Sequence, residues 1–474
     1  MMSETIASIA IHRKNMHSRR FLPPAVVALF LSFFLPLSAG AERKADELLM
    51  RATGITREDV DRATGKEALD LFDVYVLAVS ETERLAIEGE SALQADARRK
   101  QALGMFLPRI SLRATKTLTE TDRTTPASQR SAVSLYGRQN LISGLDEYAM
   151  FRGSAAEQRY RRYLLNDSAG KLLEDVAGVY MKALQMEKTL KNREKTLEHY
   201  RGISAELRRR VAVGRSRQSE LLRINSQVYK IQAEIESMQS SYVQARSMLT
   251  VISGVPRERR LIEEVCLPPY PEMPDELSNM IESRYDVKAA LEELEMARTK
   301  LLAAQGGHLP SVYLEGTYRL YQQHETGRDF WAGLGVELPI FSGGITTARV
   351  SEAASVKRQA ELRLEQARRV ARQEIEESYS TYTSSTHEME SFKKSLDTAD
   401  NNYRSILAEY RLNLVTLIDV FDALTALDSA RDDYERTVLE HCRSRVRLGV
   451  ATGELLGKGV RALREPGSEG RIVP

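Results

Sequence analysis

The most regular feature of the sequence is a three-four spacing of apolar residues along several long segments. The spacing is clearest after Gly214, where apolar residues fill the core positions of nearly five heptads, from Leu221 to Ile252. An earlier segment, from Leu145 to about Leu207, keeps the same spacing with Arg193 as an exception. Such spacing predicts helices that pack laterally on other helices. The earlier helix alone extends roughly 100 Å, which is the scale of a coiled coil.

Between the helical segments lie four stretches that alternate as strands do. They are predicted at Arg109–Thr119, Ser131–Ile142, Ser311–Gln322 and Phe330–Phe341. In the third, residues such as Val312 and Leu314 fall on one face and Tyr313 and Glu315 on the other. Strands of about 10 alternating residues suit a transmembrane barrel, although one such hairpin also suits a half-buried sheet. Four strands cannot close a barrel, and lipid does not tolerate open edges, so several chains must contribute.

The chain has an internal two-fold repeat. Gly214 and Asn413 are 199 residues apart, as are Gly254 and Gly453, and Leu107-Pro108 returns as Leu309-Pro310 at nearly the same offset. Each half is expected to hold a helix, a β-hairpin and a long helical hairpin. The first half is assigned to 42–252, a Pro-rich connector to 253–275, the second half to 276–453 and a weakly ordered tail to 454–474. The first helix of each half is predicted at Glu67 to about Met105 and at Glu276 to about Gln305.

The N-terminus has the pattern of an export signal. Basic residues precede an apolar run from Phe21 to Leu37, and Ala39-Gly40-Ala41 matches a small-residue cleavage site. An N-terminal membrane anchor is the alternative, but the run is short for a spanning helix and prolines interrupt it. We therefore expect 1–41 to be a signal peptide and the mature chain to be exported.

Composition narrows the function classes. Charged residues make up 28% of the chain with a formal net charge of +2, and both signs alternate along the helices, so nucleic-acid binding has no support. The two cysteines, Cys266 and Cys442, could form one disulfide, but two unpaired core residues are the simpler expectation. The histidines lack metal-ligand spacing and no nucleophile or phosphate-loop motif is present, so we expect no enzyme activity, no cofactor and no metal.

Asp419 and Asp422 are the sharpest polar feature of the sequence. They lie one helical turn apart, just after the break at Asn413 between two long helices. An ordinary solvated helix face is the simplest interpretation. If the chain forms a symmetric ring, however, each carboxylate repeats around the axis and the ring attracts cations.

Together these segments resemble the TolC family of outer-membrane efflux and secretion channels over essentially the whole mature chain. The motifs that carry the resemblance flank the strands and form the two helix breaks: FLPRISL, HLPSVYL, QNLISG, LPIFSGG, VAVGRSRQSELL and YRLNLVTLIDVFDALTAL. The resemblance implies a mainly α fold, in which very long helices form a periplasmic α-barrel. The four strands per chain would join a twelve-stranded transmembrane β-barrel in the outer-membrane lipid of a homotrimer.

The resemblance also implies partners and site residues. A periplasmic adaptor (membrane fusion protein) would dock at two tips, and an inner-membrane transporter would complete the machine. The first tip comprises Val213, Gly214, Arg215 and Ser216; the second comprises Leu412, Asn413, Leu414, Val415 and Thr416. Tyr410, Asp419 and Asp422 correspond to the pore constriction. Asn413 stands where the family usually has Gly, and Val415 replaces a basic residue that ties the closed tips together in some members.

The sequence therefore predicts an outer-membrane exit duct of a tripartite efflux or type I secretion system, opened by splaying of the inner helix pair. A secreted or periplasmic coiled-coil scaffold or adaptor without channel activity is the alternative. Solubility without detergent would favour that alternative. The exported substrate is not readable from the sequence.

Overall fold

The computed structural model describes residues 47–119, 128–263, 266–273, 277–322, 330–412, 414–455 and 457–463. The predicted signal peptide at 1–41, the end of the tail at 464–474, and Asn413 lie outside these ranges. Everything below concerns the described residues, which are mainly helical.

Four long helices dominate the structure. Helices α5 (Asp146–Ala212) and α9 (Ile345–Arg411) each have 67 residues. Each is followed after a short turn by a shorter partner, α6 (Gln218–Ser253, 36 residues) and α10 (Leu417–Ala451, 35 residues). A helix of 67 residues is about 100 Å long, so the predicted coiled-coil scale is correct. Helix α5 passes the predicted end near Leu207 because no Gly or Pro follows until Gly214.

The shorter helices depart from the prediction. They are α1 (47–53), α2 (Arg57–Gly65), α3 (Leu71–Glu81), α4 (Glu83–Gly104), α7 (Ser278–Ser283) and α8 (Tyr285–Gly306). The described segment before the predicted first helix, 47–65, is thus largely helical. The single helices predicted from Glu67 and from Glu276 are wrong, because both are interrupted.

The two interruptions have tertiary causes. Thr82 is extended, and its hydroxyl donates to the carbonyl of Ile252 at 3.1 Å, at the far end of α6. Arg284 is also extended, and its guanidinium donates to the carbonyl of Ala451 at 3.1 Å. Neither partner is close in sequence, so local helix propensity did not reveal the breaks.

The larger sheet contains the four predicted strands in the order β2-β3-β5-β6, all antiparallel. Strands β2 (Arg109–Thr119) and β5 (Ser311–Gln322) match their predicted bounds, and β3 spans Ser128–Ser143. Strand β6 (Phe330–Glu337) ends before the predicted Phe341, because Pro339 has no N–H to donate to the ladder.

The register of this sheet places apolar side chains together on one face. One row runs across all four strands through Leu112, Leu135, Tyr318 and Phe330. These four side chains are between 40% and 62% exposed, so the chain itself does not cover this face. The opposite face is polar: the Tyr136 hydroxyl donates to Glu315 at 2.9 Å, and Arg138 lies 4.2 Å from the Tyr313 ring centre.

The main hydrophobic core lies where α3, the middle of α5 and the ends of α6 and α10 meet. A short parallel pair of strands, β1 (Ala68–Leu69) and β4 (Arg260–Leu261), joins the segment just before α3 to the predicted connector at 253–275. The hydroxyl of Tyr180 donates to the carbonyls of Leu69 and Ile262 at 3.0 and 2.7 Å. Burial raises the pKa of Tyr180, so it is a neutral donor.

The expectation of two unpaired cysteines is wrong. Cys266 and Cys442 form a disulfide with their Cα atoms 4.8 Å apart, which joins the connector to α10. Arg445 reinforces the same attachment, because its Nε donates to the carbonyl of Pro268 at 2.8 Å. The two cysteines are 176 residues apart in sequence, so only the packing of the connector on α10 brings them together.

The described part of the tail is more ordered than expected. A 3₁₀ helix spans Gly457–Leu463, and Leu455 and Val460 are buried in the main core. Arg445, at the end of α10, forms an ion pair with Glu454 at 2.9 Å. The tail is therefore held by the same core as the connector, up to Leu463.

Candidate functional site

The two turns between the long helices have the same backbone design. In the first, Gly214 has φ of +73°, and the N–H of Arg215 donates to the carbonyl of Arg210 at 2.8 Å. In the second, the N–H of Leu414 donates to the carbonyl of Glu409 at 3.0 Å. Both bonds span five residues, as in a Schellman cap, and they are 199 residues apart. The predicted left-handed residue of the second turn, Asn413, lies outside the described residues.

The two helical hairpins pack on each other just behind these turns. Their shared apolar cluster is drawn from all four long helices and includes Leu207, Ile224, Tyr403 and Leu424. Tyr200 and Phe421 join the hairpins directly, with ring centres 5.4 Å apart. The turns are therefore placed by a common core, and the two predicted tips lie at the same end of the helices.

Tyr410 lies between the two hairpins. Its ring is half-buried, and the Arg210 guanidinium lies 5.3 Å from the ring centre. Burial raises the pKa of Tyr410, so its hydroxyl stays protonated at neutral pH. A cation over an aromatic face is attractive, so Arg210 and Tyr410 link the first hairpin to the second. This contact is within one chain and does not use position 415.

Asp419 is the third residue of α10, and Thr416 is the N-cap of this helix. The Asp419 carboxylate accepts from the Thr416 N–H at 2.7 Å and from the Thr416 hydroxyl at 2.6 Å, which completes a capping box. These hydrogen bonds from Thr416 hold the pKa of Asp419 below its usual range. The sequence analysis missed this role, although the signal was present as Thr416 followed three residues later by an acidic residue.

Asp422 lies one turn further along α10. Asp419 and Asp422 are both exposed, whereas Val420, Phe421 and Ala423 between and beside them are buried. The structure therefore places the two carboxylates on the exposed side of α10, and their predicted role in a constriction stays a prediction.

A polar cluster between α5 and α10 lies behind the tips, and the sequence showed only part of it. Arg193, the exception in the apolar spacing, forms an ion pair with Asp432 at 3.0 Å and lies 4.0 Å from the buried Asp428. Asn192 donates to Glu435 at 2.7 Å. Burial raises the pKa values of Asp428 and Asp432. Arg193 thus pairs with carboxylates of α10 that lie more than 230 residues further along the sequence.

The described residues include neither a membrane-spanning helix nor a group of side chains suited to a metal ion. No helix in this part of the chain is long and apolar enough to cross a membrane. Within the same ranges, no three His, Cys, Asp or Glu side chains converge on a point where they could hold a metal ion.

Comparison with known proteins identifies the fold. CusC, whose structures concern folding and transmembrane channel formation, superposes with a TM-score of 0.73 at 17% identity, covering 81% of this chain and 91% of CusC. The CmeC outer membrane channel of Campylobacter jejuni gives 0.73 at 15% identity, covering 85% of this chain and 90% of CmeC. The fold is therefore that of outer-membrane channels.

The family match is narrower than the fold match. The family model described as outer membrane efflux protein matches residues 277–454. The outer membrane protein TolC of Escherichia coli K12 is 24% identical over 186 residues, which cover 36% of this chain and 38% of TolC. The alignments thus span about two fifths of the length of the curated relatives. The resemblance to the TolC family is therefore supported over the second part of the chain.

Proposed function

We propose that this chain is one subunit of a trimeric outer-membrane channel that serves as the exit duct of a tripartite efflux or type I secretion system. The observation that carries the proposal is the four-stranded sheet with an uncovered apolar face. Its two outer strands, β2 and β6, have no further partner within the described residues. Lipid favours an apolar outer face but not open strand edges, so chains must pair edge to edge. Three copies give the twelve strands expected from the family resemblance.

The helices support the same assembly. Helix α6 carries a stripe of exposed side chains at heptad spacing, with Glu236 at one position and apolar residues at three others: Leu222, Tyr229 and Val243. The three apolar side chains are between 48% and 71% exposed. An uncovered heptad stripe on a long helix is typical of a coiled-coil contact with another helix. In a trimeric ring of long helices, a helix of the neighbouring subunit would be this partner.

The pore end of the duct is assigned to α10. In a three-fold ring, the exposed Asp419 and Asp422 each occur three times around the axis, with Tyr410 just behind them. Repeated carboxylates attract cations and repel each other, so they form a cation-sensitive constriction. Opening then requires the α9–α10 hairpin to move away from the axis, while the Arg210–Tyr410 contact holds it to the first hairpin.

The two tips are assigned to the docking of a periplasmic adaptor, which itself contacts an inner-membrane transporter. The exposed residues of this surface include Val213, Arg215, Leu412 and Leu414. The family resemblance supports this assignment, and the tips' position at the end of rods about 100 Å long is suited to reaching across the periplasm.

The test is purification of the mature chain followed by planar-bilayer recording. We expect the protein to require detergent, to have the mass of a trimer by native mass spectrometry, and to insert discrete cation-preferring conductances. A monomer in the soluble periplasmic fraction without conductance would contradict the proposal and favour the scaffold alternative.

A further inference from the structure

The two tips carry opposite charge, although their backbones follow the same design. Between positions 206 and 223, six arginines stand with two glutamates. The equivalent stretch, 405–422, holds one arginine with three acidic residues, Glu409, Asp419 and Asp422. The two predicted halves therefore carry net charges of opposite sign at their tips.

Most of the arginines of the first tip have no acidic partner. Arg210 is the exception, since it forms an ion pair with Glu206 at 2.7 Å. The other five arginines of this stretch are exposed, and the described part of the chain offers none of them an ion pair: Arg208, Arg209, Arg215, Arg217 and Arg223. Like charges held this close together repel, so the chain alone does not balance the cluster.

Helix stability explains only half of this cluster. Arg209 lies in the last turn of α5 and Arg208 directly precedes it, and a positive charge there complements the negative end of the helix dipole. Arg217, in contrast, is the N-cap of α6, where a positive charge is unfavourable, and it makes no side-chain capping bond. The equivalent residue of the second tip is Thr416, which completes a capping box. Arg215 lies in the same turn as Arg217.

We propose that the first tip recognises an acidic surface on a protein partner, through Arg215 and Arg217. The inference rests on the proposed docking function of the tips and adds the charge of the partner. Because the charge of Arg217 is unfavourable at its position, and Arg215 lies in the same turn without an ion pair, these two arginines are best explained by a contact outside the chain. Arg is enriched at protein interfaces, and complementary charge raises the association rate and selects among partners.

An anionic membrane surface is the competing source of negative charge. The surface beside the arginines is mixed, because it also exposes the carboxylates Asp419 and Asp422 and the apolar residues Leu412 and Leu414. A uniformly anionic membrane repels those carboxylates. A protein with its own pattern of charged and apolar groups can match all three kinds of residue, so the mixed surface favours a protein.

The test uses the detergent-purified full chain and synthetic helical-hairpin peptides that differ only at the tip, with glutamates, glutamines or lysines there. We expect the glutamate peptide to bind about tenfold or more tightly than the glutamine peptide at low salt, and to lose this advantage as salt rises. Arg215→Glu combined with Arg217→Glu should abolish the preference for glutamate and create one for the lysine peptide. Arg404→Glu reverses the charge of an exposed arginine on α9 that is paired with Asp400; it is the control for a charge reversal outside the tip and should leave the preference intact.

A second variant separates binding from folding. Arg217→Thr installs the residue that caps α10, so it should raise the thermal stability of α6 while weakening the glutamate preference. Equal affinity of the wild type for the glutamate and glutamine peptides overturns the inference. So does binding only to phosphatidylglycerol vesicles, which would assign the cluster to lipid. Peptide binding is measured without conductance, so a wild type that fails to conduct counts against the channel and not against the charge preference.

Discussion

Asp419 and Asp422 look equivalent in the sequence, but they have different structural roles. Asp419 accepts two hydrogen bonds from Thr416, the N-cap of α10, so replacing Asp419 disturbs the helix as well as the charge. Asp422 is exposed on the same helix without a capping role. Asp422 is therefore the residue at which the constriction can be tested without altering the fold.

Asp422→Asn should reduce the cation preference of the channel and raise several-fold the concentration of a multivalent cation needed for block, because one of two carboxylate rings is lost. Planar-bilayer recording with reversal potentials in a salt gradient measures both. The lowered pKa of Asp419 means that the remaining ring stays ionised at a more acidic pH than an ordinary aspartate does. Unchanged selectivity and block in the variant would place the constriction elsewhere.

At the scale of elements, the cluster around Arg193 couples α5 to α10. Arg193→Leu leaves Asp428 and Asp432 without their main positive partner and should lower the free energy of unfolding by roughly 2 kcal/mol at neutral pH. The pKa values of both aspartates are already raised by burial, so the folded state holds their protons more tightly than the unfolded state. Ionising them therefore costs stability as pH rises above the ordinary aspartate range.

The Arg193→Leu variant should show a steeper loss of stability between about pH 4 and pH 7 than the wild type, since removing Arg193 raises the aspartate pKa values further. Denaturant unfolding at several pH values measures this. Lys195→Leu, at an exposed position on the same helix, is the control and should unfold like the wild type. A variant whose stability loss is the same at pH 4 and pH 7 would contradict an electrostatic role for the cluster.

The disulfide is the second link between distant elements, because it joins the connector to α10. Replacing both Cys266 and Cys442 with Ser removes a cross-link that closes a loop of 176 residues and should destabilise the folded chain by about 2–5 kcal/mol. Thermal unfolding should therefore begin at a lower temperature. A reductant should lower the melting temperature of the wild type toward that of the variant and should not change the variant. A wild type insensitive to reductant would show that Arg445 and the core hold the connector without the disulfide.

The whole molecule is defined by the surfaces that one chain leaves uncovered. The apolar face of the sheet and the stripe on α6 are both exposed in the single chain. In the proposed trimer, lipid covers the face of the sheet and a neighbouring subunit covers the stripe. A charge placed in the stripe should therefore act on assembly more than on the fold of the subunit.

Tyr229→Glu should shift the detergent-purified protein from trimer toward monomer, with helix content preserved, because it places a carboxylate in a helix contact between subunits. Native mass spectrometry and circular dichroism measure the two properties. Lys230→Glu, at the neighbouring exposed position, is the control and should remain trimeric. Loss of helix content in Tyr229→Glu would instead assign the stripe to folding within one chain.

Much of the architecture could be predicted because it depends on short-range patterns. The bounds of β5 and the long extent of α6 follow from alternation and heptad spacing, which are patterns of neighbouring residues. The turn at Gly214 is also local, since a left-handed backbone calls for glycine there. Even the 199-residue offset of the tips is a pattern of the sequence alone, although the charge contrast between them became informative only with the capping geometry.

What only the tertiary structure decided are contacts between residues far apart in the chain. The pairing of Cys266 with Cys442, the ion pair of Arg193 with Asp432, and the helix break at Thr82 each depend on how distant elements pack. Local sequence determines which conformation a segment prefers, because its hydrogen bonds lie within a few residues. It does not determine which distant side chain completes a disulfide, a buried charge pair or a helix end, because that choice is made by packing.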